Sequence, residues 1–371
     1  MAANPINPVG NLILVAGARP NFMKIAPIIR AIHQLNQTNQ INYKLVHTGQ
    51  HYDYEMSQAF FEDLEIPQPD YFLGVGSDSH AVQTARVMMA FEEVCLREKP
   101  DAIVVVGDVN STMACAIVAK KLGIRVAHVE AGLRSRDMSM PEEINRMVTD
   151  VLSDWLFVSE RSGIANLREE GKPKSAIHFV GNVMIDTLYY QIKEIEKHGE
   201  GGDRPPGDYA VLTLHRPSNV DDVEKLHDIM RAIATIGEEL PVYFPVHPRT
   251  QERMEANGVI GALKDKKVRL LPPLPYKAFL SLYKDAKLVM TDSGGLQEET
   301  TALGIPCFTI RENTERPITI DEGTNTLVGT TAKGILEAFE VFKNGKTKKG
   351  RIPEYWDGKA AERIVDILLK L

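Results

Sequence analysis

Cysteine is scarce in this chain of 371 residues: Cys95, Cys115 and Cys307 stand far apart, with no CxxC pair. That excludes a disulfide framework and argues against a zinc site, and it fits a reducing compartment. Long apolar runs are missing too. Leu12–Ala16 falls well short of the roughly 20 residues a membrane helix needs, and the opening MAANPINPVGN lacks a basic signal-peptide stretch. A cytoplasmic protein with no membrane partner is expected. Nor is there excess positive charge, since 43 Lys and Arg face 50 Asp and Glu for a net −7. No nucleic-acid partner is expected, and any anion site must be a local pocket. Low-complexity tracts, short-period repeats and a nicotinamide-binding fingerprint are likewise absent, so the expectation is no cofactor and no metal.

What is present is a regular alternation of strands and helices. Asn11–Ala16, Tyr43–Thr48, Ala102–Val106, Val126–Val129, Trp155–Val158 and Ile177–Val180 read as buried parallel strands, with helices at Ala85–Glu98 and Thr112–Leu122. Residues 194–208, charged and then rich in Gly and Pro, interrupt the pattern. It restarts with strands at Tyr209–Leu214, Val242–Val246, Val268–Leu271, Lys287–Thr291 and Cys307–Ile310, and closes on an amphipathic helix at Lys359–Leu371. The fold class is therefore α/β, with two Rossmann-like doubly wound domains and a ligand cleft between their strand ends.

The chemistry clusters where strands end. In VAHVEAGLRSRDMSMPEEINR (126–146), Glu130 closes a strand and Pro141 opens a helix whose first turn carries Glu142 and Glu143. Glu142 and Arg146, four apart, would share one helix face. Arg134 and Arg136 add cations, so the stretch suits proton transfer on an anionic substrate; an ordinary helix start with a solvated ion-pair face is the plainer alternative. GARPN (17–21) with Lys24 sets Arg19 and Lys24 at a strand-to-helix turn where free N–H groups favour phosphate. GDVNST (107–112) puts Asp108 at another strand end, with Asn110 or Ser111 able to cap the following helix. LTLHRP places His215 at a strand end in the second half, and PVHPR repeats the pattern around His247. In TDSGGLQEE (291–299), Ser293, Gly294 and Gly295 open a helix and let backbone N–H groups approach a diphosphate. Glu299 follows within reach of ribose hydroxyls, and Arg316 of TERP joins the rim.

Taken in this order, GARPN, GDVNST, HVEAGLR, MPEEINR, LTLHRP, PVHPR, TDSGGLQEE and TERP resemble the non-hydrolysing UDP-N-acetylglucosamine 2-epimerases. The resemblance runs from about residue 12 to the end of the chain. It implies a glycosyltransferase-B-like architecture: a catalytic domain over 1–190, a UDP-binding domain over 191–353, and a segment 354–371 returning to the first domain. It also implies a homodimer. Carried over by motif, Asp108, Glu130, Glu142 and His215 would be catalytic, with Arg19, Lys24 and Arg146 beside them. Ser293, Gly294, Gly295 and Arg316 would hold the diphosphate, Glu299 the ribose, and Leu274 and Phe279 the uracil. The chain departs from the pattern in three places. The loop before Pro141 is two residues shorter and lacks a Tyr-Ser-Pro segment; Tyr52-Asp53 follows Gln50-His51 without a second Gln; and Pro217 follows Arg216. Substrate activation and the sugar's substituents therefore stay open.

The implied substrate sets a chemical problem. Its C2 hydrogen is not next to a carbonyl, so simple deprotonation has no enolate to stabilise it. Elimination of UDP to a 2-acetamidoglucal, followed by re-addition, needs carboxylates on both sugar faces and a cradle for the diphosphate. Alternatives are a C2 epimerase of a UDP-diacetamido uronic acid, whose extra carboxylate would suit Arg136, a UDP-sugar glycosyltransferase, a hydrolysing relative, or a non-enzymatic nucleotide-sugar sensor.

Overall fold

The computed structural model describes residues 9–35, 41–49, 61, 64–199, 205–264 and 266–371, with the side chain of Arg19 excluded. The Gln50–Asp53 stretch singled out above lies outside these residues. Two compact units make up the chain: Met1–Tyr189 with Glu354–Leu371, and Tyr190–Pro353.

In the first unit seven strands run in chain order: β1 (Asn11–Ala16), β2 (Asn42–His47), β3 (Tyr71–Phe72), β4 (Ala102–Val106), β5 (Arg125–Val129), β6 (Trp155–Val158) and β7 (Ile177–Phe179). Their order across the all-parallel sheet is β3-β2-β1-β4-β5-β6-β7. Beta-branched and aliphatic runs explain the central strands. AIVVV in β4 is buried along its whole length, and each such side chain contributes about 1.5–3 kcal/mol of burial. The order in which strands are added reverses between the adjacent β1 and β4, which makes their C-terminal ends a topological switch point. The last helix, Ala360–Leu368, packs on the helix Arg19–Leu35. Its first N–H groups, Ala360 and Ala361, donate to the Asp186 carboxylate at 3.1 and 2.7 Å.

The second unit repeats the plan with β8 (Ala210–Thr213), β9 (Val242–Pro245), β10 (Val268–Leu271), β11 (Leu288–Thr291), β12 (Cys307–Thr309) and β13 (Asn325–Leu327). Here the order is β10-β9-β8-β11-β12-β13, again parallel, so the switch point lies between β8 and β11. Leu212, Ile233, Phe244, Met290 and Phe308 form part of its buried core.

Two strands escape a reading of the sequence, β3 and β13. Both are short sheet edges only partly buried, so they lack the apolar run that marks the central strands. The cap expected at Asn110 or Ser111 is also corrected. Val109 occupies the N-cap of the helix Asn110–Lys121, and no side chain caps it. Asn110 instead donates to Gln83 Oε1 at 2.8 Å, and the Ser111 hydroxyl bonds that of Thr48 at 2.8 Å. Both side chains turn inward to hold neighbouring elements rather than their own helix end. Among the described residues no helix is long and apolar enough to cross a membrane.

Candidate active site

At the first switch point the turns after β1, β4 and β5 converge. Asn21 fastens the first of these. Its Oδ1 accepts the N–H groups of Gly17 and Ala18 at 3.0 Å, and its Nδ2 donates to Val106 O at the end of β4. One helical turn on, Lys24 reaches across to the Glu130 carboxylate in an ion pair that is almost wholly buried. Gly107 lies against this pair with φ +66°; a Cβ there would come within 2.9 Å of Lys24 Nζ, so only glycine fits. The next residue, Asp108, is part-exposed and takes Arg146 Nη2 at 2.6 Å. Arg146 in turn pairs with Glu143, whose carboxylate also accepts the Ser135 and Arg136 N–H groups at 2.9 Å. Burial alone would raise Glu143; those two N–H groups and Arg146 bring it below the usual carboxylate range. Glu130 against Lys24, and Asp108 against an Arg146 shared with Glu143, thus meet at one sheet edge.

At the second switch point the organiser is Asp292, fully buried after β11. It accepts the N–H of His215 at 3.0 Å, that of Arg216 at 2.8 Å, and His215 Nδ1 at 3.0 Å. Burial pushes Asp292 up, but the His215 contacts and these N–H groups carry it below its ordinary value. The helix Gly294–Leu303 begins beside it, with Ser293, Gly294 and Gly295 partly exposed. A Cβ on Gly294 would meet Glu315 Oε1 at 2.8 Å, so the glycine admits Glu315 to the helix start. Glu315 pairs with Arg311 at 2.8 Å and Arg216 at 3.4 Å, while Arg316 pairs with Glu298 at 2.7 Å. Against the effect of burial, Arg316 and Arg311 hold Glu315 at about 2. On the same helix Glu299 is buried, and accepts the hydroxyls of Tyr276 at 2.7 Å and Tyr283 at 2.5 Å. Burial raises its carboxyl, and the two hydroxyls work the other way. Phe279 lies 5.0 Å from the Tyr283 ring, and Leu274 is half-buried in the preceding loop.

The structure therefore gathers Lys24, Asp108, Glu130 and Arg146 in the first unit. In the second it gathers His215, Ser293, Gly294, Gly295 and Arg316, with Glu299 and Phe279 further along. Glu142 stands apart, exposed on the first turn of its helix, and Arg19 opens the helix Arg19–Leu35. Three expectations change. Arg146 does not pair with Glu142 four residues back; it takes Glu143 and Asp108, because Glu143 is the residue that turns inward beneath the 135–136 backbone. Arg134 is a buried strut between Asp150 and Glu170, so it is not available to a substrate anion. The Arg136 guanidinium lies over Asn166 and Glu169, and only its backbone N–H reaches Glu143. Asn21, Asp292 and Glu315 were missed. Asp292 stands inside a quoted motif, where a strand-end carboxylate beside Ser-Gly-Gly was the available signal.

The sequence model of the family described as UDP-N-acetylglucosamine 2-epimerase matches residues 33–369. The UDP-N-acetylglucosamine 2-epimerase of Methanocaldococcus jannaschii is 43% identical over 365 residues, covering 96% of this chain and 98% of its own. The UDP-2,3-diacetamido-2,3-dideoxy-D-glucuronate 2-epimerase of Pseudomonas aeruginosa is 40% identical over 365 residues, covering 97% and 99%. The crystal structure of the M. jannaschii UDP-GlcNAc 2-epimerase in complex with UDP-GlcNAc and UDP superposes with a TM-score of 0.86 at 42% identity, covering 97% of this chain and all of that one. Matched sequence along nearly the whole chain, together with two α/β units whose charged groups sit at both switch points, shows that the protein belongs to the UDP-N-acetylglucosamine 2-epimerase family.

Proposed function

We propose that the protein interconverts UDP-N-acetylglucosamine and UDP-N-acetylmannosamine by eliminating and re-adding UDP. The observation that carries this reading is the pairing of Glu130 with Lys24 and of Asp108 with Arg146 around Gly107. One carboxylate takes the C2 proton, the C2–H electron pair becomes the C1–C2 double bond, and the C1–O bond breaks onto the UDP phosphate. A carboxylate on the other face returns a proton to C2 as UDP adds back to C1, so no oxidant or reductant is consumed. Glu142, exposed and close in sequence, is the third acid of the set. In the second unit the N–H groups of Gly294 and Gly295, the Ser293 hydroxyl and the Arg316 guanidinium hold the diphosphate, the Ser293 N–H being taken by Thr291 Oγ1 at 2.9 Å, and His215 faces the leaving oxygen. Glu299 receives the ribose, while the Leu274 backbone and the Phe279 ring receive uracil.

A second copy of the chain is the partner inferred. Val82, Met89 and Leu96 are exposed at seven-residue spacing on the helix His80–Glu98, as are Ile144 and Val151 on the helix Pro141–Leu152, and these rows of exposed apolar side chains are what a second copy would cover. Light scattering of wild type and Met89→Lys checks it, a dimer weakened by the charge being expected. The three free, buried cysteines fit a cytoplasmic setting. The decisive experiment is incubation with UDP-N-acetylglucosamine in D₂O followed by NMR. The expected product is the C2 epimer with deuterium at C2 alone. Free sugar, transfer only when an acceptor is added, or deuterium at C3 would each reject the reading.

A further inference from the structure

His128 and Asp150 belong to neither set of groups above, yet both are wholly buried beneath the carboxylate turns. His128 Nδ1 faces Asp150 Oδ1 at 2.7 Å, and its Nε2 faces the carbonyl oxygen of Gly107 at 2.8 Å. A carbonyl cannot donate. Asp150 also accepts Gly132 N–H at 3.0 Å and Arg134 Nη2 at 2.8 Å, so it too serves as an acceptor. The ring thus ties Gly107 to Asp150 through its two nitrogens. Its two bonds end at the residue before Asp108 and, through Asp150, at the residue two beyond Glu130. Glu130 needs such holding. Its φ is +75°, a left-handed conformation that is strained for a non-glycine residue and persists only where surroundings enforce it. The N–H groups of Glu130 and Ala131 converge on Phe157 O at 3.0 and 3.1 Å, and Asp150 secures Gly132 directly after them.

We propose that His128 and Asp150 are a positioning pair that holds the Asp108 and Glu130 turns at the separation two-face proton transfer requires, so that without them elimination of UDP is uncoupled from its return. This rests on the epimerase reading above. A displaced re-protonating carboxylate leaves the glucal and UDP in place long enough to escape, whereas a purely structural pair would affect only how much protein is folded.

The test compares wild type, His128→Gln, Asp150→Asn and Glu170→Gln with UDP-N-acetylglucosamine, measuring the epimer and free UDP with acetamidoglucal side by side. Glu170 lies at the exposed outer end of the Asp150–Arg134 chain and serves as the control. Expected are a fall in kcat of about 10²-fold for the two buried variants, as misplaced groups typically cause, with KM little changed and a larger share of turnovers ending in released UDP. Glu170→Gln keeps the wild-type ratio. Loss of activity in proportion to folded protein, with an unchanged ratio of UDP to epimer, would overturn the proposal. Wild type that makes no epimer would instead reject the underlying function, so the two failures are separable. Should both buried variants fail to fold, Arg134→Lys, which loosens Asp150 from its other side, decides: a raised share of released UDP is expected, and the wild-type ratio overturns the proposal.

Discussion

The two units place their charged groups at the same topological position and arrange them in opposite ways. At the β1/β4 switch point carboxylates lead, Glu130 against Lys24 and Asp108 and Glu143 sharing Arg146, so the edge presents acids. At the β8/β11 switch point Arg216, Arg311 and Arg316 gather around Glu315 and Glu298 beside the start of the helix Gly294–Leu303, so the edge presents guanidinium groups and the first N–H groups of that helix. A doubly wound sheet thus supplies the location, and the residues of the turns supply the chemistry. In the functional reading proposed here, one edge moves a proton and the other holds a leaving group.

That division is broken most directly at the acids. Asp108→Asn, Glu130→Gln and Glu142→Gln are each expected to lower turnover by about 10²–10⁴-fold while UDP affinity, measured by calorimetry, stays near wild type. Equal loss of UDP binding would erase the distinction between the edges. Next comes pH, where two buried carboxylates have opposite signs. Glu315, held at about 2 against an ordinary 4.5, contributes stability that is complete above pH 4.5 and lost as pH falls towards 2, on the order of 3 kcal/mol. Asp186 in the first unit is pushed by burial from 3.8 to about 7, so its contribution is complete below pH 3.8 and lost as pH rises through 7. Denaturant midpoints followed from pH 2 to 8 should show Glu315→Gln flattening the acid limb and Asp186→Asn the slope between 4 and 7. A smaller effect is expected at Arg316→Met. Losing a charge-assisted bond to the diphosphate should weaken UDP binding by about 1.5–3 kcal/mol, with kcat at saturation little changed. Smallest of all is Arg136→Ala. Stability should move by less than about 0.5 kcal/mol, and the kcat/KM ratio of UDP-N-acetylglucosamine to its diacetamido uronic analogue should be unchanged; a shifted ratio would give Arg136 a part in sugar choice.

Strand-to-turn placement was open to reading because it is local. An apolar run such as AIVVV buries itself wherever the sheet forms, and a carboxylate or glycine directly after it must lie at the sheet edge. Hence Asp108, Glu130, His215 and Ser293 could be set at strand ends, and the α/β class recognised, from periodicity and motifs. Partner choice could not be read the same way. Glu142 and Glu143 are adjacent in a helix's first turn, and spacing favours Glu142 as the partner of Arg146; packing of the 135–136 backbone turned Glu143 inward instead. His128, Asp150 and Asp292 each join segments 20 or more residues distant, through bonds such as His128–Asp150, His128–Gly107 and Asp292–His215. Such bonds exist only after the sheet has assembled, because burial removes water as the competing partner and each polar group must then find another. Local periodicity carries no record of that choice.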